Sequence, residues 1–235
     1  MSTLPAGILK TKNGDYVLEQ DTHLSRWVEQ HGRLDIAWGE IQEVKKYIPL
    51  GGVVIDCGAC LGDHSKTYSQ LVGVDGCVLA FEPHPLTYKA LCLNAANWFP
   101  INTRCYNVAL GARPGVAYFL ANENIGASQV WDKEKPQSIE VEVMTVDQVT
   151  ETIGRLDFIH LDAEGFEPFI LEGARKALAK FRPVLLIEIN QPCLARLGKS
   201  ESDVRAVLTD LKYEVREFNG TPEGNPQRDI LCLPL

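Results

Sequence analysis

The sequence lacks any apolar run long enough to cross a bilayer. Its longest purely apolar stretches, such as Val184 to Ile187, have the length of a strand, whereas a membrane helix needs about 20 such residues. The N-terminus has no basic start followed by an apolar segment, so no secretory signal is expected. We therefore expect no membrane association and a cytoplasmic location.

Basic charge is also scarce. Lys and Arg total 23 against 31 Asp and Glu, which gives a formal net charge of −8. No basic run exceeds two residues, as at Lys45-Lys46. Proteins that bind a phosphate backbone usually carry the opposite sign. The composition disfavours nucleic acid as a partner. Binding to nucleic acid would require a local basic patch.

Repeats, low-complexity tracts and Gly-, Pro- or Ser-rich linkers are absent from the 235 residues. A hydrophobic share of 45% and a charged share of 23% are ordinary for a packed domain. Residues 1–50 differ from the rest, with an Asn13-Gly14 turn and with Ile41, Val44 and Ile48 at helical spacing. We predict an N-terminal extension over residues 1–50, packed on a core domain of residues 51–235.

From Gly51 onward, strands and helices alternate. The predicted helices are Ser65 to Val72, Leu86 to Trp98, Phe169 to Ala179 and Val204 to Leu211. The predicted strands are Val53 to Asp56, Cys77 to Phe81, Cys105 to Leu110, Val116 to Leu120, Ile139 to Met144, Phe158 to Leu161, Pro183 to Ile189, and a closing antiparallel pair, Tyr213 to Phe218 with Ile230 to Leu233. This pattern predicts an α/β fold with a doubly wound, mostly parallel sheet, whose ligands bind at the carboxyl ends of the strands.

The first core strand leads into a turn that contains two glycines, Asp56-Cys57-Gly58-Ala59-Cys60-Leu61-Gly62-Asp63-His64-Ser65. Gly58 and Gly62 allow the backbone to approach a ligand closely. The helix that follows offers free N–H groups to a carboxylate, and Asp56 suits an ammonium group. The amino-acid end of S-adenosylmethionine matches both features. A tight turn without a ligand is the alternative.

The second strand ends in Phe81-Glu82-Pro83. An acid at this place is suited to accept hydrogen bonds from ribose hydroxyls. The spacing Gly58-x-x-x-Gly62 differs from G-x-G-x-x-G, which disfavours a dinucleotide. At the third strand, the Asn107-Val108-Ala109 backbone is a candidate for contact with an adenine edge, and a plain buried strand end is the alternative.

The fourth strand ends in His160-Leu161-Asp162-Ala163-Glu164. His160 and Asp162 lie on the same side of a strand with a period of two. A buried acid needs a partner, so we expect Asp162 to bind a ligand. His160 is either catalytic or structural. Glu188 follows an apolar run, and its burial is expected to raise its pKa.

Seven cysteines, an odd number without a secretory signal, indicate free thiols. Cys57-x-x-Cys60 has the spacing of a redox motif, which is the less favoured alternative. No second Cys or His pair has the spacing of a zinc site, and no metal site is predicted. The acidic runs Glu140 to Glu142 and Glu164 to Glu167 are otherwise interpreted as solvated faces.

Taken in order, several segments resemble the FkbM family of methyltransferases: Val54-Ile55-Asp56-Cys57-Gly58-Ala59, Phe81-Glu82-Pro83, Asn107-Val108-Ala109-Leu110-Gly111, Met144-Thr145-Val146-Asp147 and Leu161-Asp162-Ala163-Glu164-Gly165-Phe166-Glu167. The resemblance runs from about Gly51 to Ile189. It implies a Rossmann-like class I methyltransferase fold, S-adenosylmethionine as cofactor and, usually, an oxygen atom as acceptor. The family often has Lys where His160 stands.

On this resemblance, Asp56, Gly58 and Gly62 hold the methionine end and Glu82 holds the ribose. Val108 lies near the adenine, and Asp162 faces the methionine amino group or the acceptor. The predicted cofactor-binding set also includes Ala59, His64, Pro83, Asn107 and Ala109.

Methyl transfer from a sulfonium is an in-line displacement, so positioning supplies much of the catalysis. An alcohol acceptor also benefits from a general base. The candidates are Asp162 first and His160 second, with Glu164 and Glu188 behind them. The predicted function is O-methylation of a small molecule or a sugar.

Two other functions stay open. One is an N-methyltransferase, although Asp162-Ala163-Glu164-Gly165 stands where the nucleic-acid enzymes have an Asn/Asp-Pro-Pro-aromatic element. The other is a non-catalytic module that binds S-adenosylmethionine or another nucleotide. The polar loop Ala121 to Trp131 is a candidate cover for the site, or else a solvated surface loop. Trp27 and Trp38 are candidate acceptor walls, or else pack on the core.

Overall fold

The computed structural model describes residues 4–34, 38–218 and 225–235, with the backbone alone described at 38–40. Its strands are β1 (Ile8–Lys10), β2 (Tyr16–Leu18), β3 (Val53–Cys57), β4 (Cys77–Phe81), β5 (Thr103–Tyr106), β6 (Ala109–Leu110), β7 (Gly115–Leu120), β8 (Gln129–Trp131), β9 (Ile139–Met144), β10 (Phe158–Leu161), β11 (Val184–Asn190), β12 (Tyr213–Glu217) and β13 (Gln227–Pro234). Its helices are α1 (Leu24–His31), α2 (Trp38–Val44), α3 (Asp63–Val72), α4 (Pro85–Asn97), α5 (Val146–Thr150), α6 (Glu167–Glu172), α7 (Arg175–Phe181), α8 (Gln191–Arg196) and α9 (Glu201–Asp210). None of these helices is long and apolar enough to cross a membrane.

Seven strands form the central sheet in the order β12-β13-β11-β10-β3-β4-β5. All neighbours pair in parallel except those that involve β13, which runs antiparallel to both β11 and β12. The predicted doubly wound, mostly parallel sheet with a C-terminal antiparallel pair is confirmed. The chain builds outward from β3 to β4 and β5, and then crosses to β10 and β11 on the other side. The switch point of strand order therefore lies between β3 and β10, where a ligand site is expected.

Strand β3 is apolar on both faces because helices cover both sides of the sheet. Successive side chains point to opposite faces, so Ile55 and Cys57 join one core cluster, while Val54 joins another. The register pairs Asp56 of β3 with His160 of β10. This pairing brings two polar side chains together inside the sheet.

A second sheet has the order β6-β9-β7-β8. It corrects the predicted strand from Cys105 to Leu110, which divides into β5 in the central sheet and β6 in the second sheet. The Asn107 side chain between them donates to the carbonyl oxygens of Glu82 and Pro83, at 2.9 Å each, and so holds the chain away from the ladder. The predicted loop Ala121 to Trp131 contains a 3-10 turn and strand β8.

The predicted helix from Phe169 to Ala179 is two helices, α6 and α7. Gly173 separates them, and a Cβ atom on Gly173 would lie 2.0 Å from the carbonyl oxygen of Gly111. The Gly111 backbone therefore requires glycine at this position, and glycine favours the end of a helix.

The N-terminal residues form a hairpin of β1 and β2, followed by helix α1. Val17 and Val28 pack against Leu91 of α4 in one apolar cluster. The Asn94 side chain fixes the hairpin, because it accepts from the Tyr16 N–H at 2.7 Å and donates to the Tyr16 carbonyl oxygen at 2.9 Å. The division of the chain at residue 50 stays a prediction.

Candidate active site

A cleft of ≈ 950 Å³, partly open to solvent, lies at the carboxyl ends of β3, β4 and β10. The ends of these strands and the segments that follow them contribute to its lining: Cys57, Gly58, Cys60, Asp63, His64, Glu82, Pro83, Asp162, Ala163 and Glu164. Of the predicted cofactor-binding residues, Gly58, His64, Glu82, Pro83, Val108, Ala109 and Asp162 line the cleft.

The turn after β3 requires glycine at two places. Gly58 has φ +84°, and a Cβ atom there would lie 1.7 Å from the carbonyl oxygen of Asp162. Gly62 has φ +95°, and its Cβ would lie 2.4 Å from the ring of Trp98. Left-handed backbone and a close neighbour both exclude a side chain. Gly62 and Ala59 do not line the cleft. They shape the turn through the hydrogen bond from the Gly62 N–H to the Ala59 carbonyl oxygen, at 2.7 Å.

Glu82 joins the turns after β3 and β4. Its Oε1 accepts from the His84 N–H at 2.8 Å and its Oε2 from the Cys60 N–H at 3.1 Å. The side chain is buried yet lines the cleft. Burial raises its pKa to about 7, although the two N–H donors oppose this rise. A carboxylate has about four lone-pair sites, so the group can accept further hydrogen bonds from a ligand.

Asp56 and His160 form a buried pair beneath the turn. The Nδ1 of His160 donates to Oδ1 of Asp56 at 3.0 Å, and the Ser65 hydroxyl donates to Oδ2. Burial raises the pKa of Asp56, but the hydrogen bond and charge of His160 outweigh it and hold the pKa below its ordinary value. Neither residue is part of the cleft lining. His64, which lines the cleft, contacts His160 with ring centroids 4.2 Å apart and the ring planes tilted by 40°.

Three carboxylates meet at the ends of β10 and β11. Asp162, Glu164 and Glu188 each place an oxygen within 4.8 Å of the others. The Asn190 amide at 2.9 Å and the Cys193 thiol at 3.1 Å donate to Glu164 Oε2. Burial and the charge of Glu188 raise the pKa of Asp162 well above its usual range and that of Glu164 to about 7.

The acidic run from Glu164 to Glu167 is not a solvated face, which corrects that prediction. Glu164 is 8% exposed and Glu167 is 0% exposed. Glu167 Oε1 accepts from the N–H groups of Ala163 and Gly165, at 2.9 and 3.2 Å. This buried acid therefore fixes the turn that carries Asp162 to the cleft.

Cys57 and Cys60 are free thiols beside the cleft. Burial is the main cause that raises the pKa of each thiol, and nearby carboxylates add to it. Redox cysteines need a lowered pKa, so the surroundings of these two disfavour thiolate chemistry.

The remaining walls come from Val108 and the polar loop, both of which the sequence indicates as candidate parts of the site, and from segments that it does not connect with the site. Apolar side chains form one wall: Val108, Leu110, Phe119, Val130, Phe166 and Ile170. His23 and Leu24 reach the cleft from the N-terminal region, and Asn124, Ile125, Gly126 and Ser128 reach it from the polar loop. Trp27 stacks on His31 and is not part of the lining. The Trp38 side chain lies outside the described residues. No local sequence signal marks the apolar wall, because only tertiary packing assembles it.

Acids dominate the ionisable lining of the cleft. Asp63, Glu82, Asp162 and Glu164 line it, whereas the described lining contains no Lys or Arg. A pyrophosphate would find no Lys or Arg here, and a cationic ligand would favour the ionised forms of the acids whose pKa values burial raises.

The strand order, the glycine turn at the switch point and the acid at the end of β4 define the class I methyltransferase fold. The model of the Methyltransferase FkbM domain matches residues 56–215, more than half of the 235 residues. The chain therefore belongs to the FkbM methyltransferase family. Comparison with curated proteins gives no match.

Solved structures agree on the fold. Methyltransferase FkbM from Methylobacillus flagellatus KT aligns with a TM-score of 0.53 and 17% identity over 77% of this chain, which spans 43% of that protein. A SAM-dependent O-methyltransferase from Thermotoga maritima aligns with a TM-score of 0.50 and 15% identity over 98% of this chain and 78% of its own. Fibrillarin from Aeropyrum pernix, solved with natively bound S-adenosyl-L-methionine, aligns with a TM-score of 0.50 and 13% identity over 79% of this chain and 68% of its own. At such identities the likeness extends to the fold alone.

Proposed function

We propose that the chain transfers a methyl group from S-adenosylmethionine to a hydroxyl oxygen of a small molecule or a sugar. The observation that carries the proposal is the acidic cleft at the switch point, which is lined by the glycine turn at Gly58 and by Glu82. The sulfonium of S-adenosylmethionine is positive, and the described lining offers carboxylates without Lys or Arg. A nicotinamide dinucleotide would carry two phosphate charges into the same space.

The residues present fit this cofactor. The backbone at Gly58 has no room for a Cβ atom, and the N-terminus of the ten-residue helix α3 begins five residues later. Free N–H groups at that terminus suit the methionine carboxylate. Glu82 has unused lone pairs toward the cleft and suits the ribose hydroxyls. The apolar Val108 and Leu110 offer a surface to the adenine ring.

Asp162 is the residue we propose to face the acceptor, because it lines the cleft while His160 does not. His160 then acts as a positioning residue, which holds Asp56 by a hydrogen bond and contacts the tilted ring of His64. The cofactor supplies an electrophilic methyl group. The chain orients the acceptor oxygen for in-line attack and excludes water with the apolar wall.

The test is transfer of a labelled methyl group from S-adenosylmethionine to a library of hydroxylated metabolites and sugars. We expect product on an oxygen with the wild-type chain, and none with Asp162→Ala. Cofactor titration of the variant shows whether the loss lies in binding or in transfer. Wild-type turnover in Asp162→Ala would remove the assignment of that residue. Product on nitrogen would replace the hydroxyl acceptor by an amine.

A further inference from the structure

Asp162, Glu164 and Glu188 bring three carboxylates together without a salt bridge to any of them in the described part of the chain. One oxygen from each lies within 4.8 Å of the other two. The charges of His64 and Arg196 oppose the rise in the pKa of Asp162 and of Glu164, respectively, but Arg196 donates its hydrogen bond to the Gln129 amide oxygen, at 3.1 Å. Three acids crowded together need a cation or protons to offset their repulsion.

Glu188 gives a second, independent sign of a ligand. The residue is 9% exposed, and its Oε1 accepts from the Gln227 amide at 2.9 Å. Its Oε2 is buried and has no hydrogen-bond partner. A buried acceptor without a partner costs about 1–3 kcal/mol, so such an atom usually has a function or an unseen ligand. The unused oxygen belongs to the same carboxylate that completes the cluster.

We infer that Asp162, Glu164 and Glu188 bind one divalent cation of the Mg²⁺ or Mn²⁺ class, which coordinates the acceptor oxygen. This inference rests on the proposed function. Three carboxylate ligands suit hard cations, which prefer oxygen donors. With three protein ligands of a usual six, positions remain for water and for the acceptor. The spacing of Cys and His predicts no metal site, because the three ligands of this one are carboxylates from the ends of two different strands.

The place of the cluster gives the cation its role. Asp162 and Glu164 line the cleft, so a cation between them and Glu188 would lie at the edge of the space for the cofactor and the acceptor. Coordination would lower the pKa of the acceptor hydroxyl. The O–CH₃ bond then forms as the C–S bond breaks, and the sulfur keeps the electron pair. The proton of the hydroxyl passes to the oxygen of Asp162 that does not bind the cation.

The test is titration of Mn²⁺ alone into the metal-free chain. Binding is measured as the loss of the electron paramagnetic resonance signal of free Mn²⁺. We expect one site in the wild type and at least tenfold weaker binding in Glu188→Gln and Asp162→Asn. Glu142→Gln is the matched control, because it removes the same charge from an exposed position on β9. If circular dichroism shows that Glu188→Gln fails to fold, Glu164→Gln takes its place.

Absence of Mn²⁺ binding at millimolar concentration, or equal binding by Glu188→Gln and Glu142→Gln, would overturn the inference. Titration of S-adenosylmethionine into the same metal-free sample separates the two proposals. Cofactor binding without Mn²⁺ binding removes the cation and leaves the proposed function. Mn²⁺ binding without cofactor binding or methyl transfer removes the proposed function and, with it, the role of the cation.

Discussion

The turns after β3 and β10 meet at Gly58 and Asp162, where a Cβ atom on Gly58 would lie 1.7 Å from the carbonyl oxygen of Asp162. The glycine is therefore required by the neighbouring turn, whether or not a ligand is bound. One contact sets the distance between the proposed cofactor turn and the residue that we place at the acceptor.

Gly58→Ala tests this contact. We expect it to lower the free energy of unfolding by about 2 kcal/mol more than Gly14→Ala, because a new methyl group must be accommodated against backbone. Gly14 is a matched control, since its φ is +97° and nothing lies within 4 Å of its Cβ position. Urea denaturation of the two variants measures the difference. If both variants lost the same free energy of unfolding, the positive φ alone would explain why glycine is needed at position 58.

The raised pKa of Glu82 predicts how the affinity for S-adenosylmethionine depends on pH. This pKa is raised to about 7 by burial, so the carboxylate is protonated below that pH in the free protein. Ribose hydroxyls donate best to the ionised form. We therefore expect the Kd for S-adenosylmethionine to rise as pH falls below 7, by up to about tenfold per unit, and to level off above it. Calorimetric titrations between pH 6 and 8.5 measure this dependence.

Glu82→Gln is the control for that dependence. The amide keeps the shape but has one acceptor oxygen and no charge, so affinity at pH 8 should fall about 10- to 100-fold. The rise in Kd below pH 7 should also vanish. A variant that keeps the wild-type pH profile would show that another group titrates.

The buried pair of Asp56 and His160 predicts a loss of stability when one partner is removed. His160→Ala leaves the carboxylate buried with the Ser65 hydroxyl as its remaining side-chain donor, and we expect a cost of about 3 kcal/mol or more. The double variant Asp56→Asn/His160→Ala should recover part of this loss, because no charge is then stranded. Urea denaturation of both single variants and the double variant gives the coupling energy. Unchanged stability in His160→Ala, with turnover abolished, would restore a catalytic role to His160.

Much of the fold follows from patterns that are local in sequence. Short apolar runs bounded by glycines, such as Val53 to Cys57, are typical of buried central strands, and the turn after β3 shows its glycines directly. The prediction of Glu82 rests on the strand end beside that turn, which is a fixed place in the fold. The sequence does not reveal the break between β5 and β6, since this break depends on the Asn107 side chain reaching a loop from another strand.

The site is harder to predict for the same reason. Asp56 and His160 were each noticed, but their pairing depends on the register between β3 and β10. Glu167 looked like a surface acid because nothing local shows that its carboxylate accepts from the backbone of its own turn. The contributions of Leu24, Phe119 and Ile125 to the cleft come from segments far apart in the chain, which no periodicity joins.

The central claim is that the glycine turn and Glu82 bind a sulfonium nucleoside. Calorimetric titration of the full chain with S-adenosylmethionine and, in parallel, with a nicotinamide dinucleotide tests it most directly. The account predicts saturable binding of one S-adenosylmethionine per chain and no measurable binding of the dinucleotide. Firm binding of the dinucleotide, with no heat from S-adenosylmethionine, would contradict it.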